Sequence, residues 1–172
     1  INDENDRCPD VAGYGRYAGC PVPDTDGDGI DDEMDKCPGE KGTAENSGCP
    51  AEIKKEIIEK VNFAAEKLQF TSSKAVLLPQ SLKVLDDVVK ILNENLSINV
   101  LIEGHTSSDG SMAFNMKLSE DRANAVKNYL LSKGIAESRL TAKGFGPTQP
   151  LNSGKTHAEK LQNRRVELKL SN

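Results

Sequence analysis

Apolar residues in this 172-residue chain recur at helical spacing in three places and alternate in a fourth. Ile53, Ile57, Ile58, Val61 and Ala64/Ala65 fall three and four residues apart, which predicts a connecting helix over 51–65. Leu68-Gln69-Phe70 reads as a short strand, closed by the polar turn Thr71, Ser72 and Ser73. After Pro79, a natural first-turn residue, Leu82, Leu85, Val88, Val89, Leu92 and Leu96 line one face of a second helix. Ser97 to Ile102 gives a central strand, buried at Val100-Leu101-Ile102 and broken at Gly104. A third helix starts at or after Ser111, with a second start signal at Ser119. It carries Ala123, Val126, Leu130 and Leu131 inward and stops at Gly134, a C′ glycine. Arg139 to Lys143 is a third strand, and the loop GFGPTQPLNSGKTH follows. In Arg164 to Leu170, Val166, Leu168 and Leu170 alternate with Arg165, Glu167 and Lys169, which marks a last strand. The order βαβαβ(loop/α)β implies an α/β (α+β) sandwich: a mixed four-stranded sheet with helices on one side and right-handed crossovers.

The first fifty residues carry none of this periodicity. They hold 13 Asp/Glu against 4 Lys/Arg, a net of −9, whereas the remainder holds 14 against 18, a net of +4. All four cysteines fall there too. Such an apolar-poor segment cannot fold without staples or metal, whereas a domain of roughly 120 residues buries about two thirds of its surface and can fold alone. Domain limits of 1–50, 51–65 and 66–172 follow. No run approaches the ~18 apolar residues of a membrane span. The chain opens inside a repeat without an initiator Met, as an excised fragment would.

That repeat has an offset of 29 residues: CPDVAGYGRYAGCP corresponds to CPGEKGTAENSGCP. In the complete copy, DTDGDGIDDEMD puts Asp24, Asp26, Asp28, Asp32 and Asp35 at positions 1, 3, 5, 9 and 12 of a calcium loop. Gly29 falls where the sharp turn needs it, and Ile30 where a backbone carbonyl ligates. Five carboxylates so close together repel one another unless a hard divalent cation neutralises them. Ca2+ is the expected cofactor. Asp35 stands where an EF-hand has Glu, and no flanking helices are evident.

This pattern resembles the thrombospondin type-3 repeat, which implies a calcium-dependent, disulfide-bonded, rod-like spacer. Four cysteines allow three pairings. The repeat favours Cys8–Cys20 and Cys37–Cys49, because each pair closes its own copy, and disulfides require the periplasm or cell exterior. The small N-terminal segment is thus expected to be irregular and stabilised by disulfides and calcium.

The stretch Leu101–Arg122 runs from buried strand through a polar, glycine-bearing loop into a helix, an arrangement suited to an anion. Counted from Ser119, Arg122 falls in a first helical turn, where a cation is disfavoured by the dipole, so an anionic partner is the better explanation. If the last strand runs antiparallel to the central one, Arg164 converges on the same edge. The alternative is a pair of surface arginines facing Glu120 or Glu167.

Gly104–Thr106 (GHT), Gly110-Ser111, Asn115, LSEDRANAV at 118–126, KGFG at 143–146 and NRRVEL at 163–168 recur in an order that resembles the OmpA-like C-terminal domain. That domain also occurs in the peptidoglycan-associated lipoprotein and flagellar stator proteins. The resemblance covers about 66–172. It implies noncovalent binding of the peptidoglycan stem peptide, above all its diaminopimelate side chain, at the periplasmic face of the bacterial outer membrane. By carry-over, Arg122 pairs with the carboxylate, Arg164 adds a second cation and Thr106 offers its backbone or hydroxyl. Asn115 orders the loop or touches ligand, and Leu118 and Ser73 complete the site. The family usually reads G-H-T-D, and its Asp contacts ligand. Ser107 stands there in this chain, and Asp109 either takes over as acceptor or faces solvent.

With two histidines and no nucleophile-elbow signature around Ser107 or Ser108, no enzymatic activity is expected. Neither is a nucleic-acid partner. The expected function is anchoring of an outer-membrane protein, held in the membrane by an N-terminal region outside this sequence. The alternative is a calcium-dependent cell-surface spacer or adhesion module that docks another protein. Homo-oligomerisation stays open.

Overall fold

The computed structural model describes residues 7–172. The chain divides into two compact units, 1–52 and 53–172.

The first unit has no regular strand and only two short 3-10 turns among the described residues, Gly15–Tyr17 and Ala44–Asn46. These are equivalent positions of the sequence repeat, and the backbone follows suit. Ala18 and Ser47 both adopt the left-handed conformation, with φ of 53° and 55°. Tyr14 N–H donates to Cys20 C=O as Thr43 N–H does to Cys49 C=O. Disulfides join Cys8 to Cys20 and Cys37 to Cys49, with Cα–Cα distances of 4.9 and 5.0 Å. Ile1, Asp3 and Asp6, which the repeat aligns with Ile30, Asp32 and Asp35, lie outside the described residues.

The second unit begins with helix α1 (Lys55–Glu66), which buries Val61, Ala64 and Ala65. It packs on the next helix and on the last strand, so it belongs to the domain core. Helix α2 (Pro79–Glu94) buries Ser81, Leu85, Val88 and Leu92. It ends before Leu96, which is 73% exposed and not on its inner face as the spacing suggested. Strand β1 (Asn99–His105) is central, with β2 (Leu140–Gly146) parallel on one side and β3 (Val166–Ser171) antiparallel on the other.

The sheet has three strands among the described residues, not four. Leu68–Phe70 makes a single bridge, Phe70 to Leu77. Its polar groups are met elsewhere: the buried Ser81 hydroxyl accepts from Gln69 N–H at 2.8 Å and donates to Gln69 C=O at 3.0 Å. The segment is pinned to α2 and needs no sheet partner.

Strand β1 also does not break at Gly104. It continues to His105, and Gly104 serves close packing instead. A Cβ there would collide with the Ser119 carbonyl of the following helix, and one on its β2 neighbour Gly144 would meet Glu120 N. Helix α3 (Met112–Ser132) in turn does not restart at Ser119. Ser119 lies fully buried in mid-helix, donating to Met116 C=O and accepting from Gly146 N–H, both at 2.8 Å. The start is Ser111, whose hydroxyl accepts from Phe114 N–H. Gly134 closes the helix with φ +89°.

Between the loop of residues 144–157 and the last strand lies helix α4 (His157–Asn163). Thr156 caps it and Glu159 reaches back, a capping box. Arg164 is therefore the C-cap of α4, and β3 starts at Val166. Strand parity sorts the two sheet faces. Val100, Ile102, Leu140, Val166 and Leu168 join Leu85, Leu92, Val126 and Leu130 in the core, and the alternate residues form a polar face.

Candidate functional site

Where β1 leaves the sheet, four pieces of chain surround a cleft of about 340 Å³. They are the Phe70–Ser73 turn, the Thr106–Asp109 loop, the first half of α3 and the end of α4. Every residue that the sequence singled out for ligand binding lines it: Ser73, Thr106, Ser107, Asp109, Asn115, Leu118, Arg122 and Arg164. Phe70, Phe114 and Leu161 also line it and were missed, since scattered apolar residues carry no sequence signal of convergence.

Arg122 dominates the chemistry. It sits well inside α3, so the expected first-turn conflict with the helix dipole does not exist. The positive charge is unusual for a different reason, which is burial. Arg122 is only 9% exposed. Its Nε donates to Lys74 C=O at 3.1 Å, and the guanidinium lies 5.1 Å from the centroid of the Phe70 ring. Its Nη atoms make no hydrogen bond or ion pair among the described residues. Burial, and then the charge of Arg164, pull the guanidinium below its ordinary pKa. Arginine does not lose its proton in proteins, so the shift expresses a buried cation without a counter-ion. Arg164 is exposed and makes no salt bridge among the described residues, and Glu167 pairs with Arg165 and Lys169 instead.

The acceptor side is occupied from within. Asp109 accepts from Lys160 Nζ at 2.7 Å and from the Ser107 hydroxyl at 3.2 Å. The Lys160 bond is the main cause that holds its carboxyl below the usual range. Lys160 lies on α4, whose start is marked in the sequence by the Thr156-x-x-Glu159 capping pattern. Asn115 is buried and donates to Asp109 C=O at 2.9 Å, so its observed part is to order the loop. Two backbone N–H groups at the end of β1 are already used: His105 N–H donates to Arg165 C=O and Thr106 N–H to Gly146 C=O. The Thr106 hydroxyl, by contrast, is buried without a partner. Ser73 adopts φ +54°, a conformation that Asn, Asp and Gly tolerate better.

Neither ring nitrogen of His105 has a hydrogen-bond partner, so no serine is activated by it.

In the first unit, Asp24, Asp26 and Asp28 offer carboxylate oxygens within 4.8 Å of one another. Asp24 accepts from Gly27 and Gly29 N–H, and Asp28 from Ile30 and Gly42 N–H. One oxygen each of Asp26 and Asp35 is buried without a partner. Burial, and then the charge of Asp28, raise the Asp26 carboxyl. Orphaned carboxylate oxygens in a loop of turn-forming glycines fit a hard cation. Asp32 does not join the trio: both its oxygens accept from Thr25, at 2.8 and 2.7 Å. Asp35 is buried beside Gly48, where a Cβ would strike its carboxylate.

The second unit is thus a small mixed-sheet domain with a cationic cleft at the sheet's edge. Residues 69–164 match the OmpA family, and the chain belongs to that family. It is 40% identical over 102 residues to a probable lipoprotein, YiaD, of Escherichia coli, spanning 59% of this chain and 47% of that protein. It is also 40% identical over 111 residues to outer membrane protein A of Bordetella avium, spanning 64% and 57%. The chain thus spans about half the length of these curated relatives. Among solved structures, the peptidoglycan-associated lipoprotein of Burkholderia pseudomallei superposes with a TM-score of 0.55 at 27% identity, covering 60% of this chain and 86% of that one.

Proposed function

We propose that the second unit anchors an outer-membrane protein to peptidoglycan, by holding a stem-peptide carboxylate in the cleft between Arg122 and Arg164. The observation that carries this reading is the buried, counter-ion-free Arg122 guanidinium. A charge-assisted, bidentate bond from its Nη atoms to a carboxylate contributes about 1.5–3 kcal/mol. Relatives named as outer-membrane protein A and peptidoglycan-associated lipoprotein support the setting at the periplasmic face of the outer membrane. No helix among the described residues is long and apolar enough to cross a membrane.

The diaminopimelate side chain carries an ammonium beside its carboxylate. Asp109 is the cleft's acid and is committed to Lys160, so the ammonium must compete with that lysine. The cationic half of the cleft therefore carries most of the affinity. Ca2+ in the acidic loop, held by Asp24, Asp26 and Asp28 with Asp35 and the Ile30 carbonyl, stiffens the first unit as a spacer. Asp32 joins only by releasing Thr25.

Co-sedimentation with insoluble peptidoglycan tests the reading. Binding is expected to survive chelation and to fall about tenfold or more in Arg122→Ala. Retention of parental binding by Arg122→Ala would remove the proposed pocket. A calcium-dependent docking module would instead lose its partner on chelation.

A further inference from the structure

The polar face of the sheet carries a second group of side chains that share no lining residue with the cleft. Glu103 and His105 are alternate residues of β1 and project to the same side, and Glu167 is the register partner of Glu103 on β3. The three offer ligand atoms within 4.8 Å of one another, and His105 Nε2 lies 3.7 Å from Glu103 Oε2. Burial makes the group unusual. The His105 side chain is 1% exposed and that of Glu103 6%, yet both imidazole nitrogens lack any hydrogen-bond partner. Buried polar atoms nearly always have one. The ring is fixed by stacking on Phe145, with centroids 5.5 Å apart and planes 8° from parallel. A neutral imidazole has one nitrogen lone pair to give a metal ion.

We propose that Glu103, His105 and Glu167 form a site for one divalent transition-metal ion of the zinc type, with its remaining coordination taken by water. One imidazole nitrogen and two carboxylate oxygens are a borderline donor set that suits zinc. Calcium, which takes six to eight oxygens, is a poor match. Ligand atoms about 2.0–2.1 Å from a tetrahedral zinc lie roughly 3.3 Å apart. The His105–Glu103 separation of 3.7 Å needs only a few tenths of an ångström of adjustment, and Glu167 needs a larger rotation of its side chain.

Two cations balance the carboxylates in the absence of metal. Arg165 donates its Nε to Glu167 Oε1 at 2.6 Å, which leaves Oε2 for an ion. Lys169 Nζ lies 2.6 Å from Glu103 Oε2, and its side chain is 53% exposed. Lys169 thus holds the place of the metal's charge and has a route into water. Glu167 and Lys169 also line a groove of about 370 Å³, which leaves the outermost ligand open to solvent. Metal and ammonium compete, which sets the affinity and provides the test.

Zinc chloride is titrated into the full chain by calorimetry and by NMR of the imidazole resonances, which is tractable because the sequence has two histidines. The expected result is one saturable event that shifts the His105 ring and leaves His157 unmoved. Glu167→Gln should weaken it at least tenfold, and Lys169→Met should tighten it by a similar factor. Both altered side chains reach solvent, so neither variant threatens the core. A purely structural role for the cluster moves neither affinity. Zinc affinity unchanged in either variant, or a response confined to His157, overturns the site. Zinc taken up by the acidic repeat persists in both variants and is told apart by leaving His105 unmoved.

Discussion

The two units of this chain hold themselves together by opposite means. Every buried hydrophobic side chain among the described residues lies between Val61 and Leu168, in the second unit. In the first, the buried positions are Gly19, Asp35 and Gly48. One unit is stabilised by water leaving apolar surface. The other relies on covalent closure and on aspartates that bond backbone N–H groups in tight turns. Like charges crowd the acidic loop and the cleft alike, with carboxylates in one and arginines in the other. Each arrangement leaves a buried charge that an ion of opposite sign would satisfy.

Reduction of both disulfides together with chelation should separate the units most sharply. Each closed loop contributes about 3 kcal/mol by the chain-entropy model. The first unit is expected to become protease-sensitive while the thermal transition of the second is kept, as limited proteolysis and calorimetry would show. Joint loss of both units would end the comparison. Leu130→Ala attacks the other side of it. Leu130 is fully buried, and truncation should cost about 2–5 kcal/mol, read as a shift in the denaturant midpoint of the second unit alone.

Lys160→Met frees Asp109 and should improve binding of a ligand that carries an ammonium by several-fold, while a plain carboxylate gains little. Titrating the variant with diaminopimelate and with acetate checks this. The same pair gives a weak pH effect. The folded pKa of Asp109 is depressed, so its contribution is present above the unfolded value of about 3.9 and is lost as pH falls through the lower folded value. Lys160→Met should flatten that acid limb. Smallest of all, Ser73→Gly relieves a left-handed serine and should stabilise the second unit by up to about 1 kcal/mol, visible as a rise of a few degrees in its thermal midpoint.

The misread elements share a physical cause. Gly104 and Ser119 carry the local signals of a strand break and a helix start, and neither acts that way. Gly104 lacks a side chain so that α3 can press its backbone against β1, and Ser119 is small and polar because it bridges Met116 to Gly146. Leu96 follows the spacing of α2 yet lies past its end. Leu68–Phe70 has the composition of a strand, but Ser81 satisfies its backbone first. In each case a contact between elements outweighed a local preference.

Local chemistry determined a good deal by itself. Periodicity marked α1, α2 and the inner face of α3, and alternation marked β3. The repeat favoured the cysteine pairs that form, and the spacing of aspartates marked the acidic loop. These properties depend on neighbours in the chain, so they can be read along it. The tertiary structure decided which charges remain unpaired. Arg122 is buried without an acid, Asp109 is taken by Lys160 from 51 residues away, and His105 is sealed with both nitrogens free. Whether a charged group lacks a partner depends on what folding brings near it, and spacing along the chain does not encode that.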